Sequence, residues 1–222
     1  MERKYQPIDK IKITSCYDDD TYYLNRDGKW LRVRVKYDED LESPREWNNL
    51  GTIRSCRGNW DISDKGYSLT KDEMIDWMDK TLDDPNVYRL PVYMYDHSGQ
   101  TISLAPFGDP WDSGQCGWIS CTKDEALKWG YKEETWREQA KKAFESEIEI
   151  YDAYITGTTY GYVIEEPHII SHTDKTTGYA WETEDWEEID SLYGFYGDDP
   201  NKNGLFSELL YKDEILYEEV KE

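Results

Sequence analysis

The sequence predicts an α+β fold, in which a mainly antiparallel mixed sheet packs against one long and several short helices. Two kinds of pattern lead to this prediction. Stretches of alternating apolar and charged residues are typical of half-buried strands, and two Thr-x-x-Glu capping boxes mark the beginnings of helices. These signals follow one another in mixed order, which favours a mainly antiparallel sheet.

Residues 1–85 predict a charge-neutral, β-rich part with one helix. Residues 10–14 and 29–37 alternate apolar and charged side chains, so both should form strands. In the second strand we expect Trp30, Val33 and Val35 to face the core.

The rest of this first part carries one long loop and one helix. Residues 37–60 show few regular signals and predict the loop. Thr70 and Glu73 form a capping box, from which a helix should run to about Asp83.

Residues 86–222 predict an acidic α+β part, either a second domain or a continuation of the first. The predicted strands lie at 87–95, 101–105, 117–121, 160–165, 167–172 and 179–183, and the predicted helices follow Thr122 and cover 133–155, 184–192 and 206–220. Pro91 lacks an N–H group, so its strand should lie at a sheet edge or contain a bulge there.

Net charge excludes several classes of protein. The chain carries 26 Lys and Arg against 48 Asp and Glu, a formal net charge of −22 at pH 7. Because a protein that binds nucleic acid directly needs a basic face, we expect no direct nucleic-acid binding. No apolar run approaches the roughly 18 residues of a spanning helix, and no leader-like segment opens the chain. We therefore expect a cytoplasmic protein that does not enter a membrane.

Aromatic residues and the placement of acids predict an ordered acidic surface. The chain contains 10 Trp, 19 Tyr and 4 Phe, far more than a disordered acidic chain carries. Residues 182–222 hold 14 acidic and 3 basic side chains, whereas residues 1–70 hold 13 of each. Apolar residues such as Trp181, Leu192 and Tyr193 are interleaved with these acids. We expect them to anchor the segment and fix its carboxylates on a surface.

The cysteines and histidines predict no metal site and no cofactor. The four cysteines lack the spacing of metal ligands and favour free thiols in a reducing compartment. His168 and His172 fall in a predicted strand, where about 13 Å would separate them.

Two short loops are candidates for chemistry, one reading YDHSG and the other WDSGQ. In a functional interpretation, Asp96, His97, Ser98 and Asp112 form a proton-transfer group in an enzyme or a small-ligand (nucleotide) site. In a structural interpretation, Asp and Ser bind turn amides and glycine supplies positive φ. Adjacent side chains rarely converge on one atom, so the structural interpretation is favoured.

A nucleotide ligand would meet a strongly negative protein. It would need a metal ion or local arginines to offset this repulsion, and the candidates are Arg32, Arg34, Arg54 and Arg57.

Four motifs occur in this order: YDHSG from Tyr95, WDSGQxG from Trp111, a Tyr-Asp-x-Tyr-x-Thr-Gly stretch from Tyr151 followed by YGYVIE, and an Asp-Ser-x-Tyr-Gly-Phe-Tyr-Gly stretch from Asp190. With this order, residues 92–204 resemble a group of uncharacterised proteins found in phages and mobile elements of Gram-positive bacteria. The resemblance implies a mobile-element origin and a cytoplasmic setting, and it implies no activity.

We consider two functions. The first is an anti-defence inhibitor that mimics DNA, whose partner is a host defence protein with a basic nucleic-acid groove. The expected contacts are Glu182, Glu184, Asp185, Glu187, Glu188, Asp190, Asp198 and Asp199, with Glu145, Glu147 and Glu149 on the long helix. The second is the enzyme or ligand-binding protein built on the two loops. In a third interpretation, the acidity serves solubility alone. The oligomeric state is not predicted.

Overall fold

The structure, a computed structural model, describes residues 4–13 and 19–220 and confirms the α+β fold. In chain order the strands are β1 (Tyr5–Ile8), β2 (Asp20–Arg26), β3 (Lys29–Tyr37), β4 (Thr52–Cys56), β5 (Ser68–Leu69), β6 (Val87–Asp96), β7 (Gln100–Ser103), β8 (Ser113–Thr122), β9 (Thr159–Thr173), β10 (Ala180–Tyr196) and β11 (Leu216–Glu219). The helices are α1 (Lys71–Thr81), α2 (Lys123–Lys128), α3 (Trp136–Thr156) and α4 (Leu205–Leu209), and a 3₁₀ turn covers Pro44–Glu46.

The chain forms two compact units. The terminal unit joins Met1–Leu41 to Gly157–Glu222, and the central unit is Glu42–Thr156. The boundary expected at residue 85 lies inside the central unit, between α1 and β6. Because β3 and β9 are neighbours in one sheet, the central unit is inserted between two adjacent strands.

The terminal unit contains a six-stranded antiparallel sheet in the order β1-β11-β2-β3-β9-β10. β2 and β3 are joined by a tight turn, in which Asp27 and Gly28 have φ of 54° and 81°. Turns with positive φ at both central residues match the twist of a β-hairpin.

β3 has the predicted bounds but a different inward face. Leu31, Val33 and Val35 are buried in the core. Trp30 lies on the opposite face, where its ring stacks on Tyr5 at 4.1 Å. Because side chains alternate along a strand, Trp30 cannot share a face with Val33, and that expectation was wrong.

The strand predicted at residues 10–14 is not formed over residues 10–13, and Thr14 lies outside the described residues. Ile11 is nevertheless buried. Its N–H donates to Oδ1 of Asn201 at 2.9 Å, and its carbonyl accepts from Nδ2 of Asn201 at 3.0 Å. The Asn201 side chain thus forms the two hydrogen bonds to the Ile11 backbone that a neighbouring strand would otherwise form.

β9 is continuous where two strands were expected. Its pairing with β3 extends only to Glu165, opposite Arg32. Pro167 lies beyond that point, so its missing N–H breaks no ladder with β3.

Two predicted helices are wrong. Residues 184–192 belong to β10, which pairs with β9 along nearly its whole length. Residues 206–220 contain the end of α4 and the strand β11. Glu and Leu favour helices locally, but pairing with a strand distant in sequence overrides that preference.

The central unit contains a five-stranded sheet in the order β5-β4-β8-β6-β7. β4 lies in the segment expected to be a loop, and it pairs with β8. Phe144 and Ile148 of α3 are buried with Ile119 of β8 in one core. Pro91 precedes a pairing irregularity at Val92/Tyr93, as predicted.

Both capping boxes form in this unit. Thr70 caps α1 with Glu73, and Thr122 caps α2 with Glu125. Each Thr hydroxyl accepts the N–H of its Glu, and each Glu carboxylate accepts the N–H of its Thr. These local signals explain why both helix beginnings were predicted correctly.

Candidate functional site

The two longest strands of the terminal unit continue beyond their sheet. From the Pro167–Trp186 pair to the Thr173–Ala180 pair, β9 and β10 bond to each other, past the last residue that β3 contacts. We call residues 167–186 the β9–β10 arm, and residues 187–190 of β10, which carry its remaining acids, the base of the arm. Most of its residues are exposed on both faces of the ribbon, unlike the sheet from which it extends.

The expected contact residues on β10 are all exposed, namely Glu182, Glu184, Asp185, Glu187, Glu188 and Asp190. Asp185 pairs with His168 and lies on one face of the ribbon, whereas Glu184 pairs with Ile169 and lies on the other. Within the described part of the chain, no Lys or Arg forms an ion pair with Glu182, Asp185 or Glu187. These carboxylates are therefore ordered along a strand and accessible.

The two acids that follow β10 differ from each other. Asp198 is exposed. Asp199 closes a turn, because its Oδ1 accepts the N–H and the Nδ2 group of Asn201 at 3.0 and 2.9 Å. Lys202 lies 3.0 Å from the same carboxylate. The bonds from Asn201, followed by that from Lys202, lower the pKa of Asp199 to about 2. Asp199 thus stabilises this turn, whereas the exposed side chain of Asp198 is accessible to a partner.

The acids of α3 lie in the central unit and also differ in exposure. Glu145 and Glu149 are exposed, and Glu145 lies 3.7 Å from Lys141. The Glu147 side chain is only 12 % exposed. Its expected role as a surface contact was therefore wrong.

Glu147 instead holds the segment before β4. Its carboxylate lies 3.0 Å from Nη1 of Arg45 and accepts the N–H groups of Leu50 and Gly51 at 2.8 and 3.1 Å. Arg45 also forms a bidentate ion pair with Asp64. Burial raises the pKa of Glu147 despite these partners. This network is structural.

An aromatic patch lies on the arm. The ring of Trp181 lies 5.9 Å from that of Tyr179 and 5.2 Å from that of His172, with interplanar angles of 19° and 14°. Tyr179 is 67 % exposed and Trp181 is 41 % exposed. Leu192 and Tyr193 are exposed as well. The expectation that such residues anchor the acidic segment in a core was wrong for Trp181 and Leu192, and hydrophobicity alone gave no signal of their exposure.

The two loops bring together only part of the expected proton-transfer group. Nδ1 of His97 is hydrogen-bonded to Oδ2 of Asp112 at 2.9 Å. Asp96 accepts bonds from Nε1 of Trp60 and the amide of Gln100. Ser98 sits in the turn with φ of 61° and, among the described residues, forms no hydrogen bond with His97. The His97 side chain is 63 % exposed, so the His97–Asp112 pair lies on an open surface.

All four candidate arginines form hydrogen bonds within their own unit. Arg32 and Arg34 both donate to Glu165, whose side chain is almost buried. Burial raises the pKa of Glu165, but these bonds lower it below its usual value. Arg54 lies between the rings of Tyr67 and Trp77 and donates to Ser120. Arg57 is exposed and donates to the carbonyl of Ser68. This arrangement gives little support to a nucleotide site.

A hollow of about 750 Å³ lies in the terminal unit, and its lining contains no residue of either loop. Its walls carry both signs of charge, from Asp9, Lys10, Lys12, Asp19, Asp20, Glu218 and Glu219. Lys12 and Asp19 of its lining lie close in sequence to residues 14–18, which are not among the described residues. We therefore assign no site to this hollow.

Across residues 4–13 and 19–220, no three His, Cys, Asp or Glu side chains are grouped to hold a metal ion. No described helix combines the length and apolar character needed to cross a bilayer. No protein family, curated protein or solved structure matches this chain.

Proposed function

We propose that this chain is an acidic inhibitor, encoded by a phage or mobile element, which acts in the cytoplasm of the bacterial host. It occupies the basic nucleic-acid groove of a host defence protein by presenting carboxylates in place of phosphates. One observation supports this most strongly. The acids from Glu182 to Asp190 are all exposed and are held in order on and beside the β9–β10 arm.

The physical basis is electrostatic complementarity. A groove that binds nucleic acid carries Lys and Arg at the positions of phosphates. An ordered acidic ribbon approaches such a groove rapidly, because long-range attraction steers the two surfaces together. Carboxylates fixed by a strand also lose less conformational freedom on binding than carboxylates on a disordered tail.

The contact set differs from that expected from the sequence. The arm and its base supply the acids from Glu182 to Asp190, and Asp198 lies in the same unit. Glu147 is excluded because it is buried against Arg45. Asp199 is engaged with Asn201 and Lys202.

The test begins with immobilised protein and a lysate of a bacterial host that carries defence systems. The retained protein is identified and purified, and inhibition of its nucleic-acid binding or cleavage is measured. A variant with Glu184→Lys, Asp185→Lys, Glu187→Lys and Glu188→Lys should lose inhibition by at least about 100-fold. Inhibition by the unchanged protein should weaken steeply as salt is raised from about 0.05 to 0.2 M.

The matched control changes four exposed acids outside the arm, with Asp76→Lys, Asp79→Lys, Asp83→Lys and Glu138→Lys. Both variants have the same net charge, so the control separates an ordered array from acidity that only maintains solubility. Equal loss in the two variants, or no loss in the arm variant, would contradict the proposal.

A second candidate function is supported by one observation, the 2.9 Å bond between His97 and Asp112. A carboxylate that orients a histidine is the arrangement a general base requires. This alternative predicts that His97→Ala abolishes activity and that the four arm substitutions change little. The inhibitor proposal predicts the reverse, so the same two variants decide between them.

A further inference from the structure

We infer that the groove occupied by the β9–β10 arm is one that binds single-stranded nucleic acid through both basic and aromatic side chains. This inference rests on the proposed function and specifies the class of partner. It depends on two separate features, namely the spacing of the charges on the arm and its base and the exposed rings of the arm.

The charge spacing resembles that of one nucleic-acid strand more than that of a duplex. Six acids lie between Glu182 and Asp190. At about 3.4 Å per residue the eight steps of this stretch span about 27 Å, so the six charges lie about 5.4 Å apart on average. Duplex DNA carries one charge per about 1.7 Å of axis, and each strand carries one per about 3.4 Å. The acids are thus too sparse to replace both strands.

The exposed rings supply a feature that a duplex does not offer. In a duplex the bases are paired and enclosed, whereas in a single strand their faces are free to stack on a protein. Trp181 lies between Tyr179 and His172 in a nearly parallel row, and Tyr179 is the most exposed of these aromatic residues. Tyr179, at one end of the row, therefore offers its ring to a partner, and Trp181 supports that ring by stacking on it.

Rings and acids occur on the same short ribbon. Asp185 and Glu187 follow Trp181 by four and six residues along β10. Residues an even number apart share one face of a strand, so both acids lie on the face that carries the rings. Grooves that bind single strands combine a basic track with aromatic platforms at which successive bases stack. The arm matches such a groove in both respects. A second copy of this chain would instead oppose acids with acids, which disfavours self-association through this face.

The experiment uses the full chain and the partner purified from the host lysate. A labelled 20-nucleotide oligo-dT strand and a 20-base-pair duplex serve as probes, and the chain is titrated against each complex. We expect the chain to displace the single strand. Tyr179→Ala and Trp181→Ala should each weaken displacement by about ten-fold, as the loss of one stacked ring does in single-strand binding.

Trp129→Ala is the matched control, because Trp129 is 42 % exposed and lies in the central unit. The Trp129→Ala variant should displace the strand as effectively as the unchanged chain does. All variants should keep the unfolding midpoint of the unchanged chain. Displacement of the duplex alone, or aromatic variants equal to the control, would overturn this inference and leave the inhibitor proposal intact. A retained protein that binds no nucleic acid, or no retained protein at all, would overturn both.

Discussion

The ring of Tyr193 lies directly over Gly161, so that a Cβ added to this glycine would overlap the ring. Gly161 lies in β9 and Tyr193 in an irregular part of β10, where pairing shifts between Leu192 and Phe195. Gly194, with φ of 89°, makes that shift possible, and its N–H donates to Asp38. The YGYVIE and Asp-Ser-x-Tyr-Gly motifs thus form one packing unit.

Gly161→Ala should destabilise the terminal unit by about 1–3 kcal/mol, because the added methyl group overpacks the buried strand. Urea unfolding followed by fluorescence measures this loss. In a Tyr193→Ala background the same substitution should cost much less, since the obstructing ring is gone. An equal cost in both backgrounds would show that the ring does not determine the choice of glycine.

Glu147→Gln should destabilise the protein by about 3 kcal/mol, because it leaves the buried Arg45 without one of its two carboxylate partners. Chemical denaturation is the measurement. Glu145→Gln changes an exposed acid two residues before Glu147 on the same helix, so it should change stability by less than about 0.5 kcal/mol. Similar effects of the two substitutions would contradict the structural role of Glu147.

Asp61 should make stability depend on pH in acid. Desolvation by itself raises the pKa of Asp61, but hydrogen bonds from Ser55, Ser68 and Ser63 outweigh it and lower the pKa from 3.8 to about 2. A depressed carboxyl pKa stabilises the folded state above the unfolded pKa, and this contribution is lost as pH falls from about 4 to about 2. Unfolding midpoints of Asp61→Asn should therefore vary less with pH over that range than those of the unchanged chain. Parallel curves would refute this.

Cysteine reactivity should follow burial. Burial raises the pKa of both Cys116 and Cys121 to about 12, so almost no thiolate is present at neutral pH. Cys56 is partly exposed, and all three are free thiols. Under native conditions iodoacetamide should label Cys56 much faster than the other two, as measured by peptide mass spectrometry. Rapid labelling of Cys121 would contradict its buried position in β8.

Thr159→Val should preserve or increase stability. The Oγ1 atom of Thr159 is buried and, within the described part of the chain, has no hydrogen-bond partner. Replacing an unsatisfied hydroxyl by a methyl group removes its desolvation cost without a large change of shape. Thermal unfolding should show an equal or higher midpoint. A loss of more than about 1 kcal/mol would indicate that the hydroxyl is satisfied.

Local signals predicted the helix beginnings and the clearest strand. The boxes at Thr70 and Thr122 act over three residues, and the alternation in β3 is continuous. Residues 184–192 of β10 were predicted as a helix because their composition favours one. Their strand conformation is stabilised by hydrogen bonds to β9, and composition does not reveal that pairing.

The site was predicted only in part for the same physical reason. Glu147 is separated by about a hundred residues from Arg45, the partner that buries it. Tyr179 and Trp181 look like core residues by their chemistry, and only the extension of β9 and β10 past β3 places them on a surface. Exposure of Glu182, Glu184 and Asp185 follows from that same extension, whereas Glu187, Glu188 and Asp190 are exposed on the edge strand of the sheet.

The N–H of Asp38 donates to the carbonyl of Thr159 at 2.9 Å, so the chain leaves and rejoins the terminal unit at one point. The central unit, which lies between these two residues in sequence, can therefore be shortened or exchanged without a change in the strand order of the six-stranded sheet. Such an architecture lets the central unit vary in sequence and size while the terminal unit keeps its acidic strand.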